Sequence, residues 1–129
     1  MSRVVFAIVE DMFFASKIRA TAEALGVEVF FLRSQGALTE KAKDKKPDLI
    51  LVDLHNQKLD AIELATELKG KDEVREAKLL AFFSHVETEL QRKALDAGFD
   101  QVVPRSVFSR DLSEILKGNY PQITPITQN

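Results

Sequence analysis

Hydrophobic residues fall into five short apolar runs, which are separated by longer segments of mixed character. The runs are rich in β-branched and aromatic residues and contain few polar positions, a pattern typical of strands buried on both faces of a sheet. We predict strands over residues 3–9, 27–32, 49–52, 78–83 and 101–103.

Between these runs, apolar residues recur every three or four positions, which is the spacing of a helix that buries one face. In the first such segment Phe14, Ile18, either Thr21 or Ala22, and Leu25 follow this spacing, and Gly26 supplies a stop. Four further helices are predicted around residues 38–42, 62–68, 90–95 and 112–116. Alternating strands and helices require crossover connections, so we predict an α/β fold with a parallel sheet between two helical layers, a three-layer sandwich.

Composition narrows the class of protein. The 129 residues are 45% hydrophobic and 29% charged, with a formal net charge of −2, as expected of one globular domain without a nucleic-acid surface. Cysteine is absent, so disulfides and thiolate-bound metals are excluded. With no membrane-spanning run, we expect a cytoplasmic protein that binds no membrane. We predict a domain over residues 1–118 and a flexible C-terminal tail over 119–129, which contains two prolines and no helical period.

Residues that could bind a ligand or take part in a reaction, together with one proline, follow four of the five predicted strands. In order along the chain they are Glu10 and Asp11, Asp53 and His55, Ser84 and His85, and Pro104 and Arg105. Ligands of open parallel sheets bind at the carboxyl ends of the strands, so we expect these residues to share one edge. Crowded carboxylates repel one another, so replacing Asp11 or Asp53 by Asn should stabilise the metal-free fold. All-oxygen ligands suit Mg²⁺, and the same cation would make Asp53 a usable nucleophile toward a phosphoryl group.

These segments resemble the receiver domains of bacterial two-component response regulators. The chain is similar to that family in "VED" (9–11), "PDLILVDL" (47–54), Ser84 after strand four, and "AGFDQVV" (97–103). The resemblance extends from about residue 3 to residue 116. It implies a flavodoxin-like (βα)5 fold, a doubly wound sheet with strand order 2-1-3-4-5.

The resemblance also implies a role for each residue. Asp53 would be the phosphoacceptor. Mg²⁺ would be bound by the side chains of Asp11 and Asp53, by the backbone carbonyl of His55, and by Glu10 through water. Ser84 would hydrogen-bond the phosphoryl group and link it to the output surface.

The family further implies partners and an activity. A sensor histidine kinase or phosphotransfer protein would donate the phosphoryl group to a stand-alone receiver, and an unknown output protein would receive the signal. A homodimer could form through helix 4, strand 5 and helix 5. Any catalysis would be limited to Mg²⁺-dependent self-phosphorylation and autodephosphorylation.

The chain departs from the family pattern near the end of strand five. An ungapped alignment puts Arg105 and Ser106 where receivers carry a lysine and a proline, whereas a shifted alignment puts Val103 and Pro104 there and supplies no cation. Val102 stands where receivers carry a switch aromatic. An arginine can still bind a phosphoryl group through its bidentate fork. The alternative function is a pseudo-receiver, a protein-interaction module that works without phosphorylation.

Two other interpretations concern the loop residues. His55 and His85 are the only histidines, and with the two aspartates they could bind a transition metal, because imidazole suits zinc, nickel or copper. Ser84 and Glu87 fit an S-x-x-E capping box, which would place Ser84 at the N-cap of a helix.

Overall fold

The structure, a computed structural model, describes residues 3–121, so residues 122–129 of the predicted tail lie outside the described residues. The sheet contains five strands: β1 (Val4–Ile8), β2 (Glu28–Phe31), β3 (Leu49–Asp53), β4 (Lys78–Phe83) and β5 (Gln101–Pro104). The described helices are α1 (Met12–Leu25), α2 (Gln35–Asp44), α3 (Ala61–Lys69), α4 (Thr88–Ala97), α5 (Arg105–Arg110) and α6 (Leu112–Lys117). A 3₁₀ turn, Asp72–Val74, precedes β4.

The strands form one parallel sheet with the order β2-β1-β3-β4-β5, which confirms the predicted topology. Buried apolar residues of α2, α3 and α4 pack on one face of the sheet, and those of α1, α5 and α6 pack on the other. Because both faces are covered, β1 is buried along its whole length. Among the described residues, no helix is both long and apolar enough to cross a membrane.

Two local predictions were wrong. The sequence predicted five helices, but a further helix, α5, follows β5 directly. The predicted capping box at Ser84 does not form, because α4 begins at Thr88 and Glu87 occupies the N-cap without a side-chain cap bond. Ser84 therefore lies in the β4–α4 loop, outside the helix.

A cluster of three aromatic rings packs beneath the carboxyl edge of the sheet. Phe14 of α1 lies 5.1 Å from Phe82 of β4 and 5.3 Å from Phe108 of α5, measured between ring centroids. Phe82 and Phe108 stack at 4.7 Å with nearly parallel planes. The cluster fixes the start of α1 against the start of α5 and thus sets the floor of the candidate site.

Candidate functional site

Asp11 lies just after β1, at the N-cap of α1. Its Oδ1 atom accepts a hydrogen bond from the backbone N–H of Phe14 at 3.1 Å, which satisfies a donor that a helix start leaves unpaired. Its Oδ2 atom accepts a hydrogen bond from Nη2 of Arg105 at 2.8 Å. The hydrogen bond from Arg105, followed by that from the Phe14 N–H, lowers the pKa of Asp11.

Arg105 is the first residue of α5 and directly follows β5. Its guanidinium carbon lies 4.2 Å from the centroid of the Phe14 ring, so the cation is held by both a carboxylate and an aromatic face. The side chains of Arg105 and Asp11 are 34% and 38% exposed. A cation at the start of α5 thus reaches the acidic edge, and its carboxylate partner in the described part of the chain is Asp11.

Asp53 is the last residue of β3. Its Oδ1 atom accepts a hydrogen bond from the backbone N–H of His55 at 2.9 Å, a local turn that orients the carboxylate at the strand end. β1 and β3 are neighbours, with Ile8 opposite Val52, so the segments that carry Asp11 and Asp53 emerge side by side. The parallel register therefore places the segments that carry the two aspartates at the same edge of the sheet.

Glu10 and His55 connect loops around the same edge. One Glu10 oxygen accepts a hydrogen bond from the backbone N–H of Gln57 at 3.3 Å, and the other lies 3.9 Å from Nζ of Lys58. Nε2 of His55 lies 3.3 Å from the carbonyl oxygen of His85, and the two rings are 5.6 Å apart. Glu10 thus joins the β1–α1 and β3–α3 loops, and His55 joins the β3–α3 and β4–α4 loops.

Ser84 and Val102 are less closely connected to this group. Ser84 is exposed in the β4–α4 loop, and no described hydrogen bond involves its hydroxyl. Val102 is partly buried in β5, where it packs against the apolar cluster on the α2, α3 and α4 face. A small aliphatic side chain therefore fills the position of the expected switch aromatic.

The chemistry of the donors suits Mg²⁺, because Asp11 and Asp53 offer carboxylate oxygens at neighbouring strand ends. Within residues 3–121, however, no group of three or more histidine, aspartate or glutamate side chains is arranged to hold a metal ion. The same finding applies to both metal sites expected from the sequence: among the described residues, neither the acidic side chains of Glu10, Asp11 and Asp53 nor the histidine pair with the two aspartates forms such a group. The Oδ2 atom of Asp11 already accepts a hydrogen bond from Arg105.

The surroundings of Asp11 were not predicted from the sequence. They include the ion pair with Arg105 and the ring of Phe14, which lies beneath the guanidinium. Met12 and Phe13, which are 73% and 90% exposed beside Asp11, were not predicted either. The N-cap spacing of Asp11 and Phe14 was visible in the sequence, but the contact with Arg105 depends on tertiary structure.

A doubly wound parallel sheet with the strand order β2-β1-β3-β4-β5 is the architecture of flavodoxin-like proteins. A family model described as the response regulator receiver domain matches residues 5–117, and the chain belongs to this family. Among curated proteins, it is 35% identical over 77 residues to response regulator protein VraR of Staphylococcus aureus (strain Mu3), which covers 60% of this chain. The matched region is 36% of that relative's length.

Solved structures agree with the fold. A CheY-like receiver domain protein from Methanospirillum hungatei has a TM-score of 0.76 at 20% identity, covering 91% of this chain and 92% of its own. The receiver domain of sensor histidine kinase PA1611 from Pseudomonas aeruginosa, which has a magnesium ion coordinated in its active site cleft, has a TM-score of 0.75 at 18% identity. That match covers 91% of this chain and 96% of the other.

Proposed function

We propose that this receiver domain accepts a phosphoryl group on Asp53 from a histidine kinase or phosphotransfer protein and signals through protein–protein contacts. The observation that carries the proposal is the position of Asp53 at the end of β3, next to the segment of Asp11. Arg105 supplies a cation to the same edge. Family membership supports the same assignment.

The proposed transfer uses the carboxylate of Asp53 as the nucleophile. Oδ1 is held by the His55 N–H, so Oδ2 is the atom that attacks phosphorus. The P–N bond to the donor imidazole breaks, and its electron pair returns to the imidazole. When bound by Asp11, Asp53 and the His55 carbonyl, with Glu10 acting through water, Mg²⁺ would offset charge on the phosphoryl oxygens. We assign Ser84 and Arg105 to binding the phosphoryl oxygens as hydroxyl and cationic donors.

Two exposed apolar side chains support docking of a protein donor beside this site. Met12 and Phe13 open α1, directly after Asp11, and both are largely exposed to solvent. Exposed large apolar residues next to a reactive group favour a protein partner, because docking removes them from water. We propose that this surface receives the phosphohistidine-bearing partner.

Incubation with acetyl phosphate and Mg²⁺, followed by mass spectrometry of the intact protein, tests the acceptor. We expect one added phosphoryl group in the native protein and none in Asp53→Asn. Asp60→Asn is the matched control, because Asp60 is a nearby carboxylate that caps α3 and Asn preserves the cap. Uptake by Asp53→Asn, or loss of uptake in Asp60→Asn as well, would contradict the assignment.

The pseudo-receiver remains the second candidate, favoured by the small Val102 side chain and by the occupation of Asp11 by Arg105. Beryllofluoride with Mg²⁺, followed by backbone amide NMR, separates the two. We expect shifts near Asp11, Asp53 and the start of α5, with little change across residues 90–101. Large changes across 90–101 would indicate an ordinary aromatic-type switch, and no change anywhere would favour the pseudo-receiver.

A further inference from the structure

A crevice on the β2 side of the carboxyl edge is not used by the proposed phosphoryl transfer. It has a volume of about 340 Å³ and is lined by α1, the end of β2 and the loops that follow β1, β2 and β3. Neither Asp53 nor Arg105 lines it in the described structure. We propose that this crevice binds a small organic anion that carries a flat aromatic ring, and the inference does not rest on the proposed function.

The first observation is the charge of the crevice. Three cations line it, Arg19, Arg33 and Lys58, and the one carboxylate beside them is that of Glu10. The crevice is therefore locally positive, whereas the whole chain has a formal net charge of −2. A concave surface that carries one sign of charge attracts ligands of the opposite sign. The charge of the lining side chains thus favours an anion.

Two of these cations have no carboxylate partner in the described part of the chain. Arg19 and Arg33 are exposed, and neither takes part in an ion pair there. Lys58 lies 3.9 Å from Glu10, and the two side chains are 79% and 38% exposed, so their contact contributes little. A ligand can therefore engage the three cations without breaking a strong ion pair.

The second observation is a flat surface that lines the crevice. The guanidinium carbon of Arg19 lies 4.7 Å from the centroid of the Phe31 ring, and both residues line the crevice. A guanidinium is planar and stacks on aromatic rings, so this pair offers a flat surface to a ligand ring. Val9, Ala15 and Leu32 add apolar walls. An aromatic anion uses these walls as well as the cations, whereas a bare inorganic ion uses the cations alone.

The size of the crevice limits the ligand to a small molecule. Ligand pockets of proteins usually have volumes of about 300–1,000 Å³, so this crevice lies near the lower end of that range. It suits one ring system that bears a carboxylate or a phosphate group. An aromatic carboxylate and a mononucleotide share this chemistry, and the experiment below distinguishes them.

The experiment is a titration of the metal-free protein in EDTA, followed by ¹H–¹⁵N NMR, with 2-naphthoate and with adenosine 5′-monophosphate as the two ring probes. We expect at least one ring probe to shift the amides of residues 31–33 and 56–58, and the tighter of the two identifies the class of ligand. The uncharged counterparts, 2-naphthamide and adenosine, should bind about tenfold more weakly because they lack the anionic group. Inorganic phosphate, which lacks the ring, should also bind about tenfold more weakly.

Matched arginine substitutions test the cations. Arg19→Gln and Arg33→Gln should each weaken binding of the ring probe about three- to fivefold, because each removes one exposed cation from the crevice. Arg92→Gln is the control, since Arg92 is an exposed arginine of α4 that does not line the crevice. Its effect should be below about 1.5-fold, because distant exposed charges are screened. Dispersed spectra before titration establish that each variant is folded.

Four outcomes would overturn the inference. These are no binding of either ring probe at millimolar concentration, shifts confined to residues away from the crevice, equal affinity for the charged and uncharged probes, and an equal loss of affinity in Arg92→Gln. Phosphate that binds as tightly as the ring probes would likewise refute it, because the crevice would then hold an ion only. The proposed function is judged separately, by phosphoryl uptake on Asp53, so either proposal can fail while the other stands.

Discussion

Replacing Asp11 by Asn in metal-free buffer should lower the free energy of unfolding, even though it removes a charge from an acidic edge. The reason is that Asp11 is paired with Arg105 at 2.8 Å and caps α1 through the Phe14 N–H. The sequence alone predicted a gain in stability from relieved repulsion. The ion pair reverses that expectation at Asp11, whereas no cationic side chain contacts Asp53 among the described ion pairs.

The magnitude follows from the contacts that the substitution removes. Asn keeps an oxygen for the Phe14 N–H, so the capping contribution is largely retained. The two side chains of the lost ion pair are each about one-third exposed, and such pairs contribute about 0.2–1 kcal/mol to the free energy of unfolding. The lost negative charge at the start of α1 contributes about 0.3–1 kcal/mol. After partial relief of repulsion from Glu10 and Asp53, we expect a net loss of about 1 kcal/mol, or a melting temperature about 4 °C lower.

Urea unfolding in EDTA at neutral pH and low salt measures this effect, with Asp53→Asn as the control. Asp53→Asn keeps an acceptor for the His55 N–H and breaks no described ion pair, so its stability should equal or exceed that of the native protein. A double-mutant cycle of Asp11→Asn with Arg105→Ala should give a coupling energy of about 0.5 kcal/mol or more. Unchanged or increased stability of Asp11→Asn, or additivity in the cycle, would refute the reasoning.

Three other predictions concern the same edge of the molecule. Phe13→Ser should slow phosphoryl transfer from the protein donor about tenfold but leave uptake from acetyl phosphate unchanged. Kinetic assays with both donors can check this, and equal slowing with both would argue against a docking role for Phe13. Arg105→Ala should raise the pKa of the Asp11 carboxyl toward its ordinary value, as ¹³C NMR titration can show. The stability from this pair is present above the unfolded-state pKa and is lost as pH falls through the lowered folded-state pKa, so the native and Arg105→Ala proteins should converge in stability in acid. Phe108→Ala should cost about 3–4 kcal/mol in urea unfolding because it opens the fully buried ring cluster, and a cost below about 1 kcal/mol would show that the cluster repacks.

The sheet was predictable because its strands are continuous apolar runs. Parallel pairing of these strands then places all their carboxyl ends at one edge of the sheet. The same logic predicts that Asp11 and Asp53 follow strands that end at one edge, and β1 and β3 are neighbours in the sheet. The helix α5 was not predictable, because its sequence "RSVFSR" has only two adjacent apolar residues and no period. Its helical conformation depends on Phe108 packing against Phe14 and Phe82.

The chemistry of the site was predictable only in part. Residue types and strand ends indicated a carboxylate site with a cation, but not which carboxylate the cation would contact. The partner of Arg105 is decided by the position of Phe14 beneath its guanidinium, a tertiary contact with no sequence signal. The capping box at Ser84 shows the opposite case, in which a local sequence signal is present but is not used. The β4–α4 loop continues to Glu87, so the helix begins only at Thr88.

The contact between Asp11 and Arg105 joins residues 94 positions apart, and this separation has a consequence for biosynthesis. Contacts of high sequence separation form late, because the intervening chain must be ordered before they contribute. A nascent chain that has emerged from the ribosome only through β4 has both aspartates but lacks the arginine and the helix that bears it. Asp11 therefore gains its cationic partner only after the last helices have been translated and have docked on the sheet.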